Sequence, residues 1–462
     1  MQPLHYDLGA IPPPHRLFGA FLDERYPILL DSSLPHREMG RYSYIVADPI
    51  LVLRAKNGVV AIESDGRRRI THGDPFDHLR RLLAELRTEA VPGLPPFQGG
   101  AVGYFGYDLA QHVEALPRVA LDDLGVPDMV VGVYCWTIAY SHLEGRAWLV
   151  GSPYPNGGLG ALRRRMERAL QKIEGARGEP LFRSDGWASP RIVSNFTRQG
   201  YLDAIARAKE YISAGDIYQV NLSQRFQVPT PLSPWELYCR LREVSPVPYS
   251  AFLELGDLSI ASASPELFLR KEGPRVVTRP IKGTRPRGKT PEEDRRLAEE
   301  LSGSEKDRAE NVMIVDLLRN DLGRVCQVGS VRVPELFALE SYTTVHHLVS
   351  TVEGTLTDSN DAISLLKACF PGGSVTGCPK IRAMEIIDEL EPTRRGVYCG
   401  SIGYVGFDGN MDTSIVIRTV VVKDGQAFLQ VGGAIVADSD PEAEFQETLD
   451  KARAAILALG GG

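Results

Sequence analysis

Runs of β-branched and aromatic residues fill the first third of the chain. "YPILLDSS", "GRYSYIVADP", "LVLRAKNGVVAIES" and "VVGVYCWTIAY" are each broken by Gly, Pro, Asn or Asp, the pattern of strands and turns in an antiparallel sheet. In "QGGAVGYFGYDLA" (98–110), Gly100, Gly103 and Gly106 recur every third residue. This spacing does not match the dinucleotide fingerprint and predicts a bulge or a close backbone approach inside a strand. The period turns helical at Leu162, Met166, Leu170 and Ile173, a face that ends at Gly175. Residues 175–192 carry no period and read as a linker between an N-terminal subdomain (1–174) and a second region (193–462).

The second region opens on a helix in which Tyr201, Ile205, Ala208 and Ile212 share a face closed by Gly215. Strands are predicted at "YQVNLSQRFQV", "YSAFLELGDLSIASASPELFLR" and "PRVVTRP". Residues 304–324 start polar and become almost wholly apolar, predicting a buried helix. Another helix begins near Pro379, and a last one runs from Pro441 to about Leu459 with Asp440 as N-cap. Strands grouped ahead of helices, without regular βαβ alternation, predict an α+β fold: a large two-sheet β-sandwich flanked by helices.

With 43% hydrophobic residues among 462, the chain can bury one large core or those of two to three domains. A formal charge of −7 argues against a nucleic-acid partner. Six cysteines without a CxxC suggest neither a disulfide framework nor a zinc knuckle, as expected of a reducing, cytoplasmic setting. The N-terminus lacks a signal-peptide pattern and no apolar run is long enough to span a bilayer, so no membrane is expected.

Local basic stretches then need a local explanation. In "TRPIKGTRPRG" (278–288), Lys282 lies close to Arg279, Arg285 and Arg287. With an ordinary pKa near 10.4, only about one lysine amine in a few thousand is neutral at pH 7, so a nucleophilic lysine must be desolvated or crowded by cations. Arg279 and Arg285 are the expected crowding groups; a solvated basic loop is the alternative. Glu266 in "SASPELFLR" is a candidate acid for a leaving hydroxyl, or an ordinary strand-end glutamate.

Asp307 and Glu310 are three apart on one predicted helix, and Glu444 and Glu447 on another. Between them they can hold Mg²⁺, a hard ion that keeps positions for water and a substrate carboxylate; equally, such acids favour helix N-termini. "PGGSVTGCPK" (371–380) fails as a phosphate loop because Cys378 and Pro379 displace the lysine. It remains either a backbone anion site or a plain turn. Arg418 can fork onto a carboxylate and Gly432 and Gly433 can offer N–H groups to it, or they are a strand arginine and a hairpin. His346 and His347 are either structural or catalytic.

Taken in order, "ASASPELFLR", "TRPIKGTRPRG", "KDRAENVMIVDLLRNDLGR", "HLVSTVEG", "PGGSVTGCPK", "GVYCGSIGY", "SIVIRT" and "GGAIVADSDPEAEFQET" closely resemble the chorismate-utilising enzymes. That family includes the large subunits of anthranilate synthase and aminodeoxychorismate synthase, with isochorismate and salicylate synthases more distant. The motifs run from about 194 to 455. The resemblance implies that Glu310 and Glu447 ligate Mg²⁺, which grips the ring carboxylate of chorismate, with Asp307 and Glu444 as near neighbours. It implies that Tyr398 and Arg418 bind the enolpyruvyl carboxylate, and that Gly432, Gly433, Thr284 and Gln219 lie near the substrate. His347 then belongs to the active site, and Glu266 is the acid or base at the departing 4-hydroxyl.

Two positions separate the branches of this family. Its water-adding members carry a lysine where this chain has Gln219, so addition of water is not expected. At the loop, anthranilate synthases usually read alanine where this chain reads Lys282 in "PIKGT". The resemblance thus implies that Lys282 attacks C2 of chorismate while the 4-hydroxyl leaves, and that ammonia then adds at C4 to give 4-amino-4-deoxychorismate. An anthranilate synthase with an unusual lysine, and a noncatalytic amino-acid-binding subunit, are the competing readings. No GxCxG nucleophile with a downstream His-Pro-Glu is present, so ammonia is expected from a glutamine amidotransferase partner in a heterodimer. The family's tryptophan pocket typically contains Leu-Leu-Glu-Ser. Here "LLDSS" (29–33) gives Asp31 and Ser32, followed by Arg41 and Ser43.

Overall fold

Successive side chains of strand Gly100–Phe105 enter different cores: Val102 and Tyr104 join one buried cluster, Ala101 and Phe105 another. Strands Ile28–Asp31 and Tyr42–Val46 divide similarly, with Ile28, Tyr44 and Val46 in the first cluster and Leu29 and Ile45 in a third. Because side chains alternate along a strand, two apolar environments require sheets covered on both faces. The computed structural model, which describes residues 3–34, 39–154, 158–176, 191–342 and 345–460, has this arrangement. Two antiparallel sheets face each other across a shared core, and helices cover their outer faces.

Each sheet has twelve strands among the described residues. The first runs through Leu4–Gly9, Arg146–Gly151, Trp136–Ser141, Tyr42–Val46, Ile28–Asp31, Tyr249–Glu254, Ser259–Ser264, Thr419–Lys423, Gln426–Ile435, Gln219–Pro229 and Val193–Ser194. Gly377–Cys378 adds to Gln219–Pro229. The second runs through Ile281–Pro286, Val345–Thr355, Arg275–Thr278, Leu267–Glu272, Met411–Ile415, Ser401–Gly406, Gly100–Phe105, Met129–Tyr134, Leu51–Lys56, Val59–Ser64 and Arg67–His72, with Arg332–Ser341 beside Val345–Thr355. Each sheet therefore takes strands from both sides of residue 175, and most of the expected linker lies outside the described residues. The expected two-sheet α+β sandwich is the observed architecture.

The glycines of 98–110 are close-approach positions, as their spacing predicted. A Cβ on Gly103 would lie 2.1 Å from the Val130 carbonyl oxygen, so only glycine lets these strands meet. The helix expected to end at Gly175 spans Gly158–Gly175, and the C-terminal helix spans Pro441–Ala458 with Asp440 accepting the Ala443 N–H. One expectation is corrected. Helix Glu305–Gly323 buries only the face carrying Asn311, Ile314, Val315, Leu318, Asp321 and Leu322, while Val312 is 46% exposed. Its apolar residues outnumber the positions that the sheet can cover.

Besides the single turn Pro14–Leu17, four helices among the described residues escaped the periodicity reading: Pro75–Glu85, Pro234–Val244, Pro291–Gly303 and Ala362–Cys369. Their caps were nevertheless written in the sequence. Asp74, Ser233, Thr290 and Asp361 each accept an N–H of the first turn, and the first three are followed by proline. All six cysteines are unpaired, and no helix among the described residues is long and apolar enough to cross a membrane.

Candidate active site

The ladder between Ile281–Pro286 and Val345–Thr355 pairs Ile281 with Val349 and Thr284 with His347, and its register shifts in between. Such an irregularity re-aims side chains, and it takes Lys282 out of the regular ladder. Gly283 completes the bulge at φ +86°, where a Cβ would meet Leu301 at 2.8 Å and Asp307 at 3.0 Å. Lys282 is only partly buried, yet the surrounding protein lowers its pKa from the ordinary lysine value. Burial is the main cause; Lys451 acts in the same direction, against the attraction of Glu310, Glu266 and Glu447. The depressed amine was expected, but from different neighbours. Arg279 pairs with Glu340 at 2.5 Å, and Arg285 pairs with Glu300 at 2.9 Å and Asp307 at 3.2 Å. Their charges are answered by acids, so desolvation and Lys451 take the role assigned to them.

Glu266 lies between strands Ser259–Ser264 and Leu267–Glu272 and is 5% exposed. Burial raises its pKa, against Ser374, Lys282, the Ile281 backbone and Arg418. Lys282 and Glu266 attract each other as ions, but for each of them burial outweighs that attraction. Burial therefore moves each group's pKa from its free value in the direction of the neutral form.

Arg418 adopts φ +50°, a conformation that non-glycine residues seldom hold without a reason. Its guanidinium has no hydrogen-bond or ion-pair partner among the described residues; burial lowers its pKa, and Glu266 opposes the shift. A desolvated, unmatched fork is suited to an incoming carboxylate. His347 is buried and its Nδ1 lies 2.8 Å from the Thr284 hydroxyl. Burial, with Arg418 next, lowers its pKa to about 4, leaving the ring neutral near pH 7. His346 instead joins Ser341 and Asp294, a structural role. Tyr398 is buried with its ring 5.6 Å from the Arg395 guanidinium.

Glu310 extends from helix Glu305–Gly323 within electrostatic reach of Lys282 and Lys306, and burial raises its pKa. Glu444 and Glu447 extend from the C-terminal helix towards Gly433, where a Cβ would lie 3.1 Å from Glu444 Oε2 and 3.6 Å from Glu447 Oε1. Gly433 and Gly432 sit opposite Leu222 and Ser223 in the sheet; the missing side chain of Gly433 leaves space beside Glu444 and Glu447, whereas a Cβ on Gly432 would lie 2.5 Å from the Leu222 carbonyl oxygen, so that glycine serves close strand approach. Glu444 accepts the Ser439 hydroxyl at 2.7 Å, while Glu447 pairs with Lys451 at 2.6 Å. Asp307 is turned to Arg285. Among the described residues no group of three or more His, Cys, Asp or Glu side chains could hold a metal unaided. The donor set still fits Mg²⁺, which commonly takes one or two carboxylates and completes its shell with water and substrate oxygens.

Gln219 starts strand Gln219–Pro229 fully buried, and neither atom of its side-chain amide has a partner among the described residues. An unsatisfied buried amide is costly unless something polar meets it. Lys451, Lys306 and Ser374 were not singled out from the sequence. Only the i,i+4 spacing of Glu447 and Lys451 offered a signal for one of them.

The expected tryptophan-pocket residues lie apart from this cluster. Asp31 and Arg41 line a cavity of about 500 Å³ between the sheets, with Tyr249, Arg270 and Asp412 also on its wall. Arg41 pairs with Glu144 at 3.4 Å. Asp31 is buried and accepts from Ser43 Oγ at 3.0 Å, Tyr238 OH at 2.8 Å and Arg242 Nε at 2.7 Å. Ser43 Oγ also receives the Ser32 N–H, and the Ser32 hydroxyl is buried without a partner among the described residues. Burial pushes the Asp31 pKa up, but Arg242 and Tyr238 outweigh it and the net shift is down. Its stabilisation is therefore fully present above the ordinary aspartate range and is lost as pH falls through the lowered value. Asp31→Ala should cost about 3–5 kcal/mol at neutral pH, because it strands Arg242. Denaturant midpoints measured from pH 7 to pH 3 should show the gap from wild type narrowing in acid.

Residues 27–457 match the family described as chorismate binding enzyme. Aminodeoxychorismate synthase component 1 of Escherichia coli strain K12 is 44% identical over 437 residues, covering 94% of this chain and 93% of that protein. Anthranilate synthase component 1 of Thermus thermophilus is 45% identical over 441 residues, covering 95% and 93%. The structure of anthranilate synthase component I from Streptococcus pneumoniae TIGR4 superposes with a TM-score of 0.80 at 33% identity, covering 90% of this chain and 92% of that one. The match spans both sheets and every element that carries the cluster around Lys282, and on that basis the chain belongs to the chorismate binding enzyme family.

Proposed function

We propose that this chain aminates chorismate at C4, with Lys282 as a transient nucleophile, and yields 4-amino-4-deoxychorismate. Overall identity does not choose between the two aminating activities, since relatives named for each are equally similar. The observation that carries the choice is Lys282: a desolvated amine, released from the ladder, within electrostatic reach of a carboxyl whose pKa burial raises.

In this reading the neutral Lys282 amine forms a bond to C2 of chorismate. The ring double bond shifts, and the C4–O bond breaks as Glu266 donates its proton, releasing water. Ammonia then bonds to C4 as the double bond shifts back and the C2–N bond breaks, releasing Lys282 as the neutral amine, and the new C4 ammonium returns one proton to the Glu266 carboxylate. The enolpyruvyl group stays on the ring, so no pyruvate is released. Arg418 receives the enolpyruvyl carboxylate, with Tyr398 as the second group that the family resemblance assigns to it. The neutral His347 ring, held by Thr284, closes one wall, and Gln219 directs its unsatisfied amide at the substrate or the ammonia. Mg²⁺ held by Glu310 and Glu447, with Glu444 adjacent, would neutralise the ring carboxylate. Gly433 leaves room for that end of the substrate, and Gly432 lets its strand approach Leu222 closely enough to hold Gly433 there.

Ammonia is supplied in this account by a separate glutamine amidotransferase subunit. The designation "component 1" of the relatives supports a two-part enzyme. The cavity at Asp31 and Arg41 is our assignment for a bound amino acid.

The test is product analysis after incubation with chorismate, Mg²⁺ and excess ammonium salt at mildly alkaline pH. The account predicts 4-amino-4-deoxychorismate without pyruvate; anthranilate with equimolar pyruvate would overturn it. Arg418→Met should raise KM for chorismate about tenfold or more, as expected for losing a charged hydrogen-bonding contact. Steady-state kinetics should show kcat falling less than kcat/KM.

A further inference from the structure

Arg395 has no place in the chemistry described above, yet it is 4% exposed and its guanidinium is almost fully engaged. Nε donates to Glu391 Oε2 at 3.0 Å and Nη2 to Glu391 Oε1 at 2.7 Å. Nη2 also donates to the Asn221 carbonyl at 2.6 Å, and Nη1 to the Val375 carbonyl at 2.9 Å. Its plane lies 4.9 Å from the Tyr107 ring centroid and 5.6 Å from that of Tyr398. Glu391, itself buried, also accepts the Ser223 N–H and hydroxyl, both at 2.8 Å.

These contacts join two segments that reach the candidate active site from different directions. Asn221 lies two residues from Gln219 on strand Gln219–Pro229, and Val375 belongs to the 372–378 loop that carries Ser374; at its start a Cβ on Gly372 would lie 2.5 Å from Ile415, whose N–H donates to the Glu266 carbonyl at 3.1 Å. The segments also touch directly: the Asn221 N–H donates to the Thr376 carbonyl at 2.7 Å, and Gln219 pairs with Cys378. One rigid, doubly forked cation therefore sets the 372–378 loop against the strand. A lysine cannot reproduce this, having no planar fork.

We propose that Arg395 is a positioning residue, which by holding the Val375 and Asn221 carbonyls places Ser374 against Glu266 and Gln219 in the cleft. The inference rests on Glu266 being the proton donor of the proposed reaction. Ser374 favours the ionised form of Glu266, against burial. Moving Ser374 away should therefore raise the Glu266 pKa and extend its acid form to higher pH. The other groups that face Glu266, namely Lys282, Arg418 and Cys399, remain in the variants.

The experiment is the pH profile of kcat, with ammonium as nitrogen donor, for wild type, Arg395→Lys, Ser374→Ala and the double variant. The alkaline limb should move up by about half a unit or more in each single variant, and the double variant should move no further than either. KM for chorismate should change little. A loss of stability alone would lower the active fraction without moving the limb. If Arg395→Lys does not fold, Glu391→Gln, which loosens the aim of the guanidinium, should move the limb in the same direction. An unmoved limb in the folded Arg395 or Glu391 variant, or additive shifts in the double variant, overturns the inference. Glu266→Gln separates the two ideas: retained turnover removes the proton-donor reading and the inference with it. Lost turnover with an unmoved limb in Arg395→Lys removes the inference alone.

Discussion

Lys282→Ala should abolish C4 amination by on the order of a thousandfold or more in kcat, because it removes the amine that forms the bond to C2. Chorismate affinity should change only a few-fold, since Arg418 and the acids at Glu310 and Glu447 are untouched. Lys282→Arg should be equally inactive, as a guanidinium does not lose its proton in proteins. The wild-type rate should rise with pH as the amine deprotonates, and the sign of the shift places that midpoint below the ordinary lysine value. Single-turnover kinetics on the three proteins, with ammonium saturating, makes the comparison. Lys282→Ala retaining a tenth of wild-type turnover would remove the lysine from the chemistry.

Glu266→Gln is the second large effect, a fall of roughly 10²–10⁴ in kcat, the range for losing a positioned general acid. The amide keeps the shape but has no acidic proton to give to the departing hydroxyl. Burial raises the Glu266 pKa, so its acid form persists above the usual carboxylate range and the rate declines as pH rises through it. Lys282 and Glu266 thus govern opposite limbs of one profile. Their titrations are coupled, so the two midpoints belong to the pair. Steady-state kinetics from pH 6 to pH 10 should show the declining limb vanish in Glu266→Gln; its survival would assign it to another group.

Part of the layout of the candidate site was legible before the fold, for physical reasons that differ by residue. Helical spacing put Asp307 with Glu310 and Glu444 with Glu447 on one face each, while only the family resemblance gave those acids a role, and the C-terminal helix was marked by its Asp440 cap and Pro441. Glycine spacing at 98–110 predicted the close strand approach now seen at Gly103. What the sequence misassigned was the cause of the lysine's low pKa. Arg279 and Arg285 are near it along the chain, but each is drawn to acids from other segments: Glu335 and Glu340, Glu300 and Asp307. Lys451, which does lower it, comes from a helix 169 positions away. Arg395 and Ser374 were illegible for the same reason, since their meaning lies in carbonyls and carboxylates brought together only by the two sheets.

Intact-protein mass spectrometry after rapid quench, with chorismate and Mg²⁺ but no ammonia, tests the central claim most directly. The account predicts an adduct of chorismate minus one water on the wild-type chain, mapped to the peptide containing Lys282, lost on adding ammonium and absent from Lys282→Ala. Turnover to 4-amino-4-deoxychorismate with no such adduct at any quench time, or an adduct that persists in Lys282→Ala, would contradict it.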